Sequence, residues 1–166
     1  DIPDYDAEII TGTKHMADLF EETTKICGKP KKVSNWLMGE TMRLLKENSM
    51  EAEEICFAPE HLAALIELVD AGTINGSVAK EVFEEMFKSD IAPEKYVEEK
   101  GLKVVNDEGA LRETIEKVIA ENPQSVEDYH NGKKKAMGFL VGQTMKAMKG
   151  KANPAMVNAI LQELLV

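Results

Sequence analysis

Apolar residues along this chain recur at steps of three and four, and glycine and proline cut the runs into short lengths. Strict alternation of apolar and polar residues is scarce, so strands are expected to be minor at most. The pattern therefore predicts an all-α fold built from many short helices. Length sets a second bound: 166 residues allow one large domain or two small ones with a real core. Hydrophobic residues make up 43 % and aromatics only 5 %, and no window is long and apolar enough to span a membrane.

The spacing predicts a first helix over residues 4–26, with Ile9, Ile10, Met16, Leu19, Phe20 and Ile26 facing inward. Gly28 is its expected stop, with Pro30 following. The next helix runs through KKVSNWLMGETMRLLKE, with Val33, Leu37, Leu44 and Leu45 inward and Trp36, the one tryptophan, as a core anchor. Asn35 and Gly39 beside it mark either a tight helix crossing or a contact surface. A polar connection over residues 48–57 leads to a helix opened by Pro59, with Leu62, Leu65, Ile66 and Val69 inward. Asn75 or Ser77 caps the helix after that, and a short helix from Pro93 stops at Gly101.

Residues 101–106 are short and partly extended, and form the expected boundary. Asp107 or Glu108 then opens a helix ended by Pro123, a short helical piece covers 125–129, and a basic helix runs over about 132–149. A sharp turn follows, with Asn153 as N-cap and Pro154 as first residue of the last helix. Two small helical modules result, 1–101 and 107–166, joined by a short linker. The second lies near the lower size for a stable domain.

Charge singles out one stretch. The chain carries a net charge of −10, yet NGKKKAMGFLVGQTMKAMKGKANP holds Lys133, Lys134, Lys135, Lys146, Lys149 and Lys151. No acidic residue lies between Asp128 and Glu163. On a helix, Lys135, Gly138, Gly142, Lys146 and Lys149 form one stripe, with Met137, Leu140, Val141, Thr144 and Met148 opposite. A glycine inside a helix costs about 1 kcal/mol against alanine, so two on the lysine face imply that something approaches the backbone closely. A phosphodiester chain meets that description, and so does a partner helix packed on a GxxxG seam. Lysines near a helix C-terminus also complement the macrodipole.

Motifs for chemistry are scarce. His15, His61 and His130 are scattered without metal-ligand spacing, and GxxxxGK[ST], GxGxxG and GxSxG runs do not occur. Glu51/Glu53/Glu54 and Glu98/Glu99 read as solvated helix ends rather than acid–base pairs. Cys27 and Cys56 read as unbridged, buried or half-buried small apolar residues in a reducing compartment. No catalytic, cofactor-binding or metal-ligating residue is expected, which leaves a binding module. Two classes compete: RNA recognition through the basic helix and the turn at 150–153, or receipt of a partner helix on the glycine stripe. The chain opens Asp1-Ile2-Pro3-Asp4 with no initiator methionine and no signal-peptide pattern, so it is expected to be part of something longer.

The run GKKKAMGFLVGQTMKAMKGKANPAMVNAILQELL closely resembles the tail signature of the B-subunit family of aspartyl/glutamyl-tRNA amidotransferases, the GatB/YqeY domain. DIPDYDAEIIT, KKVSNWLMGE, FAPEHLAALIELVDAGTINGSVAKEVFEEMF and EKGLKVVNDEGAL resemble that family's helical region in the same order, so the resemblance covers nearly the whole chain. It implies part of an enzyme that converts misacylated Glu-tRNA(Gln) or Asp-tRNA(Asn) to the amidated form, using ATP and ammonia from a glutaminase subunit. The activation site, with ATP and magnesium, is implied only for an N-terminal domain that is not in this chain. For these residues the resemblance implies docking of tRNA, the tail lying near its elbow.

Carried over residue by residue, the implied tRNA surface is Lys133, Lys134, Lys135, Gly138, Gly142, Gln143, Lys146, Lys149 and Lys151. Phe139 borders it, either stacking on a base or packing in the core. The implied partners are tRNA(Gln) and/or tRNA(Asn) and the A and C subunits of the amidotransferase, with no membrane and no DNA, in the cytoplasm. Two relatives share the tail signature. The archaeal E-type subunit would carry a further inserted domain, and standalone YqeY-like proteins lack the match over residues 1–100.

Overall fold

The computed structural model describes residues 2–165, and the chain divides into two compact units, Asp1–Leu102 and Lys103–Val166. The first unit begins with α1 (Asp4–Ile10) and α2 (Lys14–Cys27). These are two helices where the periodicity suggested one over 4–26. The break is chemical. The Thr11 hydroxyl donates to the Ala7 carbonyl at 2.7 Å, closing α1, while Thr13 caps α2 by accepting from the Met16 N–H at 3.3 Å. A Cβ on Gly12 between them would lie 3.1 Å from the Ile9 carbonyl, so a side chain there would crowd the turn. The buried stripe of α2 runs Met16, Leu19, Thr23 and on to half-buried Cys27, which leaves Ile26 on the outside, 53 % exposed. Gly28 ends α2 in the left-handed conformation that glycine adopts without strain.

α3 (Pro30–Trp36) continues through a π-helical turn, Leu37–Thr41, into α4 (Met42–Asn48). The buried Thr41 hydroxyl donates to the Trp36 carbonyl at 3.1 Å across this turn, and the turn shows Gly39 to the outside. Asn35 is exposed too, and a Cβ on Gly39 would meet no described atom within 4 Å. Within this unit the pair therefore lies on a surface and makes no tight crossing. A buried Ser34 hydroxyl donates to Asp6 at 3.0 Å and ties α3 to α1.

After a 3-10 turn (Ala52–Glu54) come α5 (Pro59–Asp70), α6 (Gly76–Ser89) and α7 (Pro93–Glu99). The connection before α5 is less polar than it reads. Its extended backbone sends Ile55 and Phe57 into the core and Cys56 out, so Cys56 is exposed rather than half-buried. Both cysteines are free. Phe83 of α6 is fully buried at the centre, with the rings of Trp36 at 5.1 Å and Phe57 at 5.3 Å. Asn75 caps α6 by accepting from the Val78 N–H at 3.0 Å, and Gly101 follows α7 with φ +60.

The second unit comprises α8 (Glu108–Glu121), α9 (Pro123–His130), α10 (Lys135–Ala147) and α11 (Pro154–Leu164). Two of its helix starts are capped by side chains. Asp107 accepts from the Ala110 N–H at 3.1 Å, and Asn153 from the Ala155 N–H at 3.0 Å. Leu111, Ile115 and Val118 of α8 meet Leu140 of α10 and Val157, Ile160 and Leu161 of α11 in one core. The partly extended lead-in makes a single parallel bridge between Val105 and Ala152, where the Val105 N–H donates to the Lys151 carbonyl at 2.7 Å. That contact closes the turn before α11 over the core, with Ala152 fully buried beneath it. Arg112 and Glu163 join α8 to α11 at 2.8 Å, and His130 Nε2 lies 2.9 Å from the Leu165 carbonyl.

Candidate nucleic-acid interface

The lysine-rich helix is shorter than its sequence suggests, and the reason lies at both ends. Gly132, with φ +84, closes α9: its N–H donates to Tyr129 and the Lys133 N–H donates to Asp128. Lys133 and Lys134 therefore stand in the turn before α10. At the other end the same closure recurs, with Lys149 donating to Lys146 at 3.0 Å and Gly150 to Met145 at 2.8 Å. Lys149 occupies the left-handed position, φ +52, that usually goes to glycine. Lys149 and Lys151 thus follow the helix instead of extending its stripe.

On α10 itself the faces sort as the periodicity requires. Ala136, Leu140 and Thr144 are buried, and Met137, Val141, Met145 and Met148 pack against the core from its edges. Thr144 keeps its hydroxyl satisfied by donating to the Leu140 carbonyl at 2.9 Å. Lys135, Gly138, Gly142 and Lys146 are exposed on the opposite side. Gln143 is half-buried beside them, as is Lys151 in the exit turn, so the nine expected residues do not all share one surface strip. A Cβ on Gly138 or Gly142 would meet no described atom within 4 Å. Within this unit no described helix uses the GxxxG pair as a packing seam.

Phe139 is the residue whose place the sequence left open. It is 46 % exposed and looks outward with the glycines. Its spacing from Lys135, Gly142 and Lys146 (four before, three and seven after) is the signal that puts it on their face.

The electrostatics of the two units differ. In the first, Lys29 Nζ sits 2.6 Å from Glu67 and 2.8 Å from Asp70, and Lys80 lies 2.8 Å from Glu40. Arg43 reaches Glu40, Glu47 and Glu84 at 2.7–2.8 Å. Asp70 and then Glu67 hold the Lys29 ammonium above its ordinary range, and Lys29 and Lys32 hold Asp70 below its own. Around α10, Lys133 pairs with Asp128 at 2.7 Å. Among the described residues, no carboxylate forms a salt bridge with Lys134, Lys135, Lys146 or Lys149. Four like charges held on one short helix and its turns, without internal neutralisation, attract a polyanion.

Among the described residues, no cluster of three or more His, Cys, Asp and Glu side chains gathers as a metal site. The polar pair of His61 and Asp90, 2.8 Å apart, serves structure: Asp90 also accepts from the Ala58 N–H at 2.8 Å, where α5 begins. A hollow of about 280 Å³ borders Trp36, Gly39 and Gly76, but its acid, Glu40, is already engaged by Lys80 and Arg43. No described helix is long and apolar enough to cross a membrane.

A family model described as the GatB domain matches residues 18–165. The chain is 72 % identical, over 99 % of its length, to the B subunit of the aspartyl/glutamyl-tRNA(Asn/Gln) amidotransferase of Agathobacter rectalis. The B subunits of the same name from Lachnoclostridium phytofermentans and a Thermoanaerobacter species are 62 % and 58 % identical over 99 % of this chain. The matched region is 34–35 % of each relative, so the chain spans about a third of the length of these proteins.

Proposed function

Because this chain belongs to the GatB/YqeY family, we propose that it is the tRNA-docking, C-terminal part of an amidotransferase B subunit. The second unit grips the tRNA backbone through the outer face of α10 and the two turns that flank it. The task is positional: the acceptor end of misacylated Glu-tRNA(Gln) or Asp-tRNA(Asn) is held within reach of a catalytic site elsewhere in the polypeptide, where ATP and magnesium act. A tethered second contact raises the effective concentration of the reacting end at that site. The A and C subunits of the amidotransferase are the proposed protein partners, in the cytoplasm.

One observation carries this reading. In a chain of net charge −10, Lys134, Lys135, Lys146 and Lys149 stand on or beside an open, glycine-lined helix face without described carboxylate partners. Lysine supplies phosphate-binding point charges, and the bare glycines let a backbone come close.

The test is tRNA binding by this chain across a salt series, beside a variant with Lys135, Lys146 and Lys149 replaced by alanine. For about five or six neutralised phosphates, the log–log slope should be on the order of −4 to −5, and the variant should flatten it by roughly 2 to 3. Coincident curves would remove α10 from the RNA surface. Salt-insensitive association with a protein would assign the glycine face to a partner helix instead.

A further inference from the structure

Lysines on phosphate explain affinity for RNA in general, but they leave Phe139 unexplained. Nearly half its surface is open to solvent, on a helix that buries Leu140 next to it completely. One exposed apolar side chain is ordinary on a protein surface, and its exposure alone carries nothing. Its surroundings on α10 are unusual for an exposed aromatic. Gly138 precedes it and Gly142 lies one turn on, both with open space where side chains would stand. Lys135 and Lys146 flank it along the helix, and half-buried Gln143 sits one turn above with an amide that both donates and accepts. The result is a flat apolar ring, cleared of neighbours by two glycines, inside a frame of positive charge.

We infer that Phe139 is a stacking platform for an exposed nucleobase face, so that this surface reads the shape of a folded RNA and not phosphate alone. The inference rests on the RNA-docking reading above and deepens it by naming the class of RNA recognised. Bases inside a regular duplex are stacked on both sides and offer no face. Loops, bulges and folded corners of structured RNA do offer one, and aromatic side chains bind there. The lysines then supply the sequence-independent attraction, while Phe139 supplies preference for RNA that presents a free base face. An apolar partner helix fits less well, because it would lay an uncharged face against Lys135 and Lys146, which have no described carboxylate partners.

The experiment compares the parent chain with Phe139→Ala and Phe139→Trp on three probes: a tRNA transcript, a single-stranded RNA and a long fully paired RNA duplex. Phe139→Ala should weaken tRNA and single-strand binding about 5- to 150-fold, leave the salt slope unchanged and leave duplex binding within about twofold. Phe139→Trp should keep the affinity, and its added indole fluorescence should change with tRNA but not with duplex. Thermal melts of both variants should match the parent, since the ring is not part of the core. If Phe139→Ala binds tRNA as the parent does, or loses all three probes equally, the inference is overturned while the lysine reading stands on its own salt test. If the parent chain binds no RNA, both fall together. If Phe139→Ala keeps tRNA affinity but loses association with a protein, the ring is a helix-docking contact and the inference is overturned.

Discussion

On the RNA-docking reading, Gly138 on the outer face of α10 and Lys149 in the turn after it stand where stability and binding make opposite demands. Gly138 sits mid-helix with nothing near its missing side chain. Gly138→Ala should therefore stabilise the second unit by up to about 1 kcal/mol in chemical denaturation. The same methyl group would hold off an approaching RNA backbone, so tRNA affinity should fall with no change in salt slope; affinity that rises or stays level would show that nothing comes close there. Lys149 makes the second case. It holds a left-handed backbone that favours glycine, at a cost of roughly 1 kcal/mol. Lys149→Gly should raise the melting temperature and, if Lys149 meets one phosphate as proposed, flatten the salt slope by about 1.

Elements of this chain are stopped, started and bent by a few hydrogen bonds. The π-helical turn between α3 and α4 is bridged by the buried Thr41 hydroxyl on the Trp36 carbonyl. Thr41→Val keeps the shape and removes that bond, and should lower the stability of the first unit by about 1 kcal/mol, measured by urea denaturation. The start of α5 depends on Asp90, which accepts from Ala58 N–H and His61. Burial alone would raise the Asp90 carboxyl; those two partners outweigh it and hold it below its ordinary 3.8. Asp70 and Glu40 are displaced the same way, chiefly by Lys29 and Lys80. A carboxyl lowered in the folded state stabilises fully above its unfolded value and loses that contribution as pH falls through the folded one. Melting temperature should then be level near neutrality and drop below about pH 4, and Asp90→Asn should start lower at about pH 6 and lose less on acidification. Equal acid sensitivity of parent and variant would exclude Asp90 from the effect.

At the scale of the whole molecule, an acidic chain carries its basic residues in two ways: mostly paired with carboxylates in the first unit, where Lys14, Lys31 and Lys46 are among the exceptions, and largely unpaired around α10. In an intact amidotransferase, alanine at Lys135, Lys146 and Lys149 should reduce amidation of tRNA while glutamine hydrolysis continues at the parental rate; parallel loss of both would point to a damaged assembly instead. Much of this was legible without coordinates. Gly28, Asn75, Gly101, Asp107 and Asn153 mark helix ends because capping is settled between residues close together in the chain. The stripe of Lys135, Gly138, Gly142 and Lys146 follows from about 3.6 residues per turn alone. Other features lay beyond local reading. Whether Ile26, Cys56 and Phe139 face inward depends on what other helices bring against them, and all three are exposed. The break at residues 11–13, the π-turn at Thr41 and the bridge from Val105 to Ala152 are choices between competing hydrogen bonds, decided by which arrangement also fills the core. The sequence by itself determined where most helices begin and end and which residues share a helix face, because those depend on near neighbours. Only the tertiary structure decided which of those faces is covered, because burial is a relation between residues far apart in the chain.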